Sequence, residues 1–143
     1  MESRNRLISV TRQQVEKLAR ELSYHISRLL KAKTMTKGTI YIQKKKCGNP
    51  NCKCARGDLH TAPLLTMSHN GKTRNVPLTK YSLVERMEVE KRVKQYQKFR
   101  YNRAEAVRCY KELITAANTL EQSLLIEAAT AKKGGTGHDQ QER

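Results

Sequence analysis

The segment Cys47-Gly48-Asn49-Pro50-Asn51-Cys52-Lys53-Cys54-Ala55-Arg56-Gly57-Asp58-Leu59-His60 sets three thiols and an imidazole within fourteen residues, spaced C-x4-C-x-C-x5-H. Four soft or borderline donors this close together can complete a tetrahedral Cys3His zinc site. Gly48-Asn49-Pro50-Asn51 has the composition of a tight turn, which would swing Cys47 back toward Cys52. In an extended segment residues two apart point the same way, so Cys52 and Cys54 can both face a metal while Lys53 points out. Gly57 permits the reversal that returns His60. His69 is the rival fourth ligand, although it lies next to a turn and reads more readily as an exposed turn residue. Without a metal the segment is a loop of reduced cysteines, for which packing offers no reason. The spacing therefore predicts zinc as the cofactor, held by Cys47, Cys52, Cys54 and His60. His25, His138 and Cys109 read as bystanders, Cys109 being a half-buried small residue in mid-helix.

Working outward, Thr39-Ile40-Tyr41-Ile42-Gln43 is rich in β-branched and aromatic residues and reads as a short strand. Beyond the cysteines, 64–69 and 72–76 flank Asn70-Gly71, the dipeptide that supplies the two positive φ angles of a type I′ hairpin turn. A two- or three-stranded antiparallel sheet is expected. With few bulky side chains it would not be stable alone, and a metal whose binding energy becomes folding energy is the staple it needs.

On either side the pattern is helical. Val15, Leu18, Leu22, Ile26 and Leu29 recur every three or four residues, which predicts an amphipathic helix of about twenty-two residues with Thr11 as its N-cap. After Pro77 no Gly or Pro interrupts the chain before Gly134, and Ser82 to Glu85 has the S-x-x-E form of a capping box. The apolar positions from Val89 through Val93, Tyr96, Val107, Ile114 and Leu124 predict a long helix. Asn102, a poor helix former, marks a place for a kink or a division into two. Helices this long persist in water by pairing, either within the chain or as a coiled-coil homodimer. The expected fold class is α+β and mainly helical. Its organisation is an N-terminal helix (1–37), a zinc-stapled β-hairpin or three-stranded sheet (38–78), a long C-terminal helix or helix pair (79–131) and a disordered tail (132–143).

The chain has 143 residues and a formal charge of +16 from 29 Lys and Arg against 13 Asp and Glu. The charge is concentrated: 28–103 holds 19 basic residues and four acids, a net +15, whereas 1–27 has five against three and 104–143 five against six. A basic block of this size attracts polyanions, because each phosphate it neutralises releases counterions. A membrane surface is a poorer partner, since the basic segments lack an apolar aromatic face to bury among headgroups. No run is long enough to span a bilayer and the N-terminus shows no signal-peptide core, so a cytoplasmic, nucleoid-associated protein is expected.

Three basic groups converge on the proposed zinc unit: Lys44, Lys45 and Lys46 before the first cysteine, Lys53 and Arg56 within the loop, and Lys72 and Arg74 on the hairpin. Lys91, Lys94 and Lys98 form a further ridge at helical spacing, beside Arg92 and Arg103. With Lys and Arg dominating and few Asn or Gln available for base edges, phosphate contacts should outweigh sequence readout. Catalysis is not expected: a catalytic zinc needs an open position and a general base, and Asp58 is the only acid close to the cluster in sequence.

The run from Gly38 to about Arg103 resembles a family of small prokaryotic proteins of unassigned function, often encoded near transposases and other mobile elements. The resemblance is carried by Cys47, Gly48, Pro50, Cys52, Cys54, Ala55, Gly57, His60, Gly71, Lys72, Thr73, Arg74, Val76, Pro77, Val93, Tyr96, Phe99 and Arg100. It covers under half of the chain, and its most specific part is the motif C-G-x-P-x-C-x-C-A-x-G-x-x-H. Those proteins usually carry Gly-Pro and two or three aromatics after the histidine, where this chain has Thr61-Ala62-Pro63-Leu64-Leu65, which weakens the expectation of base stacking. The resemblance implies a zinc hairpin but no activity. The expected function is a zinc-dependent, non-enzymatic DNA-binding protein, an accessory or regulator of a mobile element or phage. RNA binding, or a helical adaptor that recruits a transposase or other nucleic-acid enzyme, are the alternatives.

Overall fold

The computed structural model describes residues 1–126. In chain order these form helix α1 (Glu2–Leu30), strands β1 (Thr39–Lys45), β2 (His60–His69) and β3 (Lys72–Pro77), and helix α2 (Leu83–Leu124), with short 3-10 turns at Lys53–Arg56 and Leu78–Lys80. The class is the expected one, two helices with a three-stranded antiparallel sheet between them. The tail predicted to be disordered lies outside the described residues. The described chain divides into two compact units, His25–Ala104 and a second in which Met1–Tyr24 is joined by 105–126. Each is described by itself.

In the unit of His25–Ala104 the strands run in the order β1-β2-β3, with Ile40 opposite Leu65 and Leu65 opposite Val76. Paired residues of an antiparallel sheet share a face, so these three apolar side chains form one patch. It closes on Leu78 and Val93, and Met67 and Val89 complete the core. Asn70 and Gly71 take φ of +50° and +75°, the signs a type I′ turn requires. β2 begins four residues earlier than expected, at His60, and so places Pro63 in a central strand. Pro63 pairs with Ile42, and β3 ends where Pro77 meets Leu64, so no β3 residue calls on the amide that proline lacks. Gly38 enters the sheet where a Cβ would stand 2.8 Å from both Leu65 Cδ1 and the Thr66 carbonyl oxygen.

α2 opens on the predicted capping box: the Ser82 amide donates to Glu85 Oε2 (2.8 Å) and the Glu85 amide to Ser82 Oγ (3.3 Å). The chain remains helical through Asn102 and is one helix, not two. Asn102 is retained by its own hydrogen bonds. Its Nδ2 donates to the Lys98 carbonyl (2.9 Å), and its Oδ1 lies 2.9 Å from Nδ1 of the buried His25. His25 thus lies apart from the candidate metal ligands and has a structural hydrogen bond.

In the other unit α1 and α2 run antiparallel. Arg4 donates to the carbonyls of Ser123 (2.7 Å) and Leu125 (2.8 Å), and Arg108 pairs with Glu21 (3.2 Å). α1 starts at Glu2, and Thr11 is a buried helical residue, 3% exposed, instead of the expected cap. The seam explains this: Ile8, Thr11, Val15, Leu18 and Leu22 are spaced three and four apart, so the buried stripe extends a turn before Thr11. The small residues Ala106, Cys109 and Ala116 are buried on α2. Cys109 is fully buried, which pushes its thiol pKa up.

Candidate metal centre

Lys45 faces His60 in the β1–β2 register, so residues 46–59 form the loop that closes this end of the hairpin. Its first half is the predicted turn. The Asn51 amide donates to Asn49 Oδ1 (3.0 Å) and the Cys52 amide to the Asn49 carbonyl (3.1 Å), an Asx turn that brings the chain back on itself. The second half differs from expectation. Cys52 is extended, but Lys53–Arg56 winds into a 3-10 turn ended by Gly57 at φ +104°. A strand here would have no neighbour to pair with, and the turn satisfies its amides locally, Ala55 to the Cys52 carbonyl and Gly57 to the Cys54 carbonyl.

The turn still delivers the four donors to one place. The ligand atoms of Cys47, Cys52, Cys54 and His60 all lie within 4.8 Å of one another. Cys47 Sγ is 3.5 Å from Cys54 Sγ, and Cys52 Sγ is 3.2 Å from His60 Nε2. A four-coordinate ion with bonds of about 2.3 Å to sulfur and about 2.0 Å to nitrogen has donor–donor edges of roughly 3.5 to 3.8 Å, so the cluster has the dimensions of a metal site. The Cys47 amide also donates to Cys54 Sγ at 3.4 Å, the kind of outer contact that orients a thiolate ligand.

The thiols are not equivalent. Cys54 is fully buried, Cys52 half-buried and Cys47 exposed. The Asn49 amide, followed by His60 and the neighbouring thiols, lowers the pKa of Cys47 to about 6. For Cys54 the Cys47 amide favours the thiolate, but burial and the adjacent sulfurs outweigh it and the pKa rises. A cation among them would favour the thiolate at every position. His69, the rival ligand, occupies the far end of β2 and is removed from the cluster by nearly the whole strand.

The basic residues fall into separate groups. Lys44, Lys45 and Lys46 lead along the exposed end of β1 into Cys47, and Lys53 and Arg56 lie on the 3-10 turn. Lys53 pairs with Asp58 at 3.5 Å, both exposed. Lys72, expected near the metal unit, is opposite His69 at the other end of the sheet, about 30 Å of strand from His60 at roughly 3.3 Å per residue. Arg74 faces Met67 and lines a cleft between the sheet and α2 that Arg92 also lines. The sequence offered no signal that these two arginines share a cleft, because that depends on how the strand meets the helix. Lys91, Lys94 and Lys98 are exposed together along one shallow groove on α2, as their spacing predicts.

A three-stranded antiparallel sheet closed at one hairpin by a Cys3His cluster, and backed by a helix, defines a small metal-site α+β module. The chain belongs to the family described as a domain of unknown function, DUF6788, whose model matches residues 11–91. That span takes in most of α1, the whole sheet, the cluster and the first turns of α2. No curated protein and no solved structure matches the chain. Among the described residues no helix is long and apolar enough to cross a membrane.

Proposed function

We propose that the protein is a zinc-dependent, non-enzymatic nucleic-acid binding protein whose partner is DNA. One observation carries the reading. The unit of His25–Ala104, delimited by its own packing, contains both the Cys3His cluster and 19 Lys and Arg against four acids. The described part of the other unit has seven against six. Charge and metal donors thus coincide in one module, with its polyanion-attracting residues on a scaffold the metal would rigidify.

Zinc suits the donor set, three thiolates and one imidazole, and when bound it would supply four bonds that hold the loop to the sheet. Cys47, Cys52, Cys54 and His60 would supply all four ligands of a tetrahedral ion, the set of a structural site. The nearby acid, Asp58, is paired with Lys53. Both features favour a structural role. Lys44, Lys45, Lys46, Lys53 and Arg56 dock the metal end on phosphates, Lys72 and Arg74 the far hairpin, and Lys91, Lys94 and Lys98 the helix face. The resemblance to proteins encoded near transposases supports an accessory or regulatory part in a mobile element or phage.

The test is a titration of the zinc-loaded chain against labelled duplex DNA over a range of salt. Binding should fall linearly on a log–log plot, with a slope of about −0.9 per phosphate contact. No binding at low ionic strength, or binding indifferent to salt, overturns the reading; tighter binding to matched RNA reassigns the partner.

A further inference from the structure

The C-terminal half of α2 carries two adjacent stripes. Ala106, Cys109, Leu113, Ala116, Leu120 and Ser123, spaced three and four apart, are buried or half-buried. One residue further round the helix, Val107, Tyr110, Ile114, Ala117, Glu121 and Leu124 repeat the same spacing and are exposed. The four large apolar members remain 43% to 56% accessible. A helix with one neighbour needs one such stripe; two adjacent stripes are the pattern of a helix with two neighbours, as in a bundle. The opposite flank of the buried stripe is different in kind. There Arg108 joins Glu105, Glu112 and Glu21 of α1 in ion pairs of 3.0 to 3.2 Å, and no apolar surface remains.

We propose that the exposed stripe docks against the same stripe of a second copy, the two α2 helices antiparallel. The sequence is self-complementary in that arrangement. Centred between Ile114 and Ala117, it sets Val107 against Leu124, Tyr110 against Glu121 and Ile114 against Ala117 of the second copy. Two aliphatic side chains meet at Val107 and Leu124, a large one meets a small one at Ile114 and Ala117, and a phenol meets a carboxylate. Charge agrees. Lys111, beside Tyr110, comes within reach of Glu121 of the second copy, and neither residue forms an ion pair within the described chain. The near-neutral charge of this unit lets two copies approach, and a two-fold axis repeats each contact. The chain's own tail is a poor occupant, because 127–143 contains no large apolar side chain. The inference is independent of the nucleic-acid reading.

The test is sedimentation of the full zinc-loaded chain. A dimer is expected at tens of micromolar, and Ile114→Glu should yield a monomer with unchanged helical circular dichroism, since Ile114 is exposed in the single chain. Lys111→Glu and Glu121→Lys should each weaken the dimer by about tenfold, the order of a close interfacial charge pair. The double swap should restore it, a rescue that mere loss of folding cannot produce. A monomer at every concentration, a dimer indifferent to Ile114→Glu, or a swap without rescue overturns the proposal. So does a dimer that appears only when 127–143 is deleted, which would make the tail the occupant.

Discussion

The Sγ atoms of Cys47 and Cys54 stand 3.5 Å apart with no bond between them, and the Cys47 amide points at that same Cys54 sulfur from 3.4 Å. The contact joins the start of the loop to its 3-10 turn, while Cys52 and His60 join the turn to β2 at 3.2 Å. An ion bound among the four donors would tie this loop to β2 through His60. A strong chelator should therefore free it: amides of 46–60 should lose most of their protection in hydrogen exchange, while those around Leu65 lose it later. Unchanged exchange in 46–60 would show that the loop needs no ion.

Gly38 is required by close approach. An added Cβ meets the Thr66 backbone oxygen at 2.8 Å, and the backbone of a paired strand cannot turn aside as a side chain could. Gly38→Ala should destabilise the unit of His25–Ala104 by about 1–3 kcal/mol, the usual cost of overpacking. Denaturant unfolding with sheet-specific exchange would measure it, and a variant as stable as the parent contradicts the register of β1 against β2.

In the other unit the pH dependence runs through Glu21. Its hydrogen bond to Arg108, aided by Cys109 and Lys17 and opposed by partial burial, lowers its pKa. A carboxylate depressed in the folded state stabilises the fold above its unfolded pKa, and the contribution disappears as pH falls through the lower, folded value. Thermal unfolding should thus show wild type above Glu21→Gln at neutral pH, with the gap closing in the acid range. A gap that widens on acidification contradicts the pairing.

The nucleic-acid reading separates residues by position. Replacing Lys44, Lys45 and Lys46 with alanine should make the log–log salt slope shallower by roughly 2 to 3, since each phosphate contact contributes about 0.9. Duplexes of unrelated sequence should be affected alike. An unchanged slope removes the metal end of the sheet from the interface.

Features encoded in a few consecutive residues were legible: the Asn70-Gly71 turn, the Ser82–Glu85 box and the four clustered donors each declare themselves within fourteen positions or fewer. What escaped was set by distant partners. Thr11 has the chemistry of a cap, but packing buries it inside a longer helix whose first turns are tied down by Arg4 on Ser123 and Leu125. Asn102 reads as a break until His25, 77 residues away, supplies its hydrogen bond. Lys72 was grouped with the cysteines because both border the sheet; the full length of β2 separates them. Likewise the 3-10 geometry of Lys53–Arg56 follows from the absence of a neighbouring strand, which no local pattern records.

The most direct test is the metal content of the purified full chain beside Cys54→Ser. Cys54 is fully buried, and its sulfur receives the Cys47 amide and touches the Cys47 sulfur. Elemental analysis should find one zinc ion per chain, lost in the variant together with protection of 46–60. A parent chain that folds with no bound metal, or a Cys54→Ser chain that keeps its zinc, contradicts the metal-stapled module.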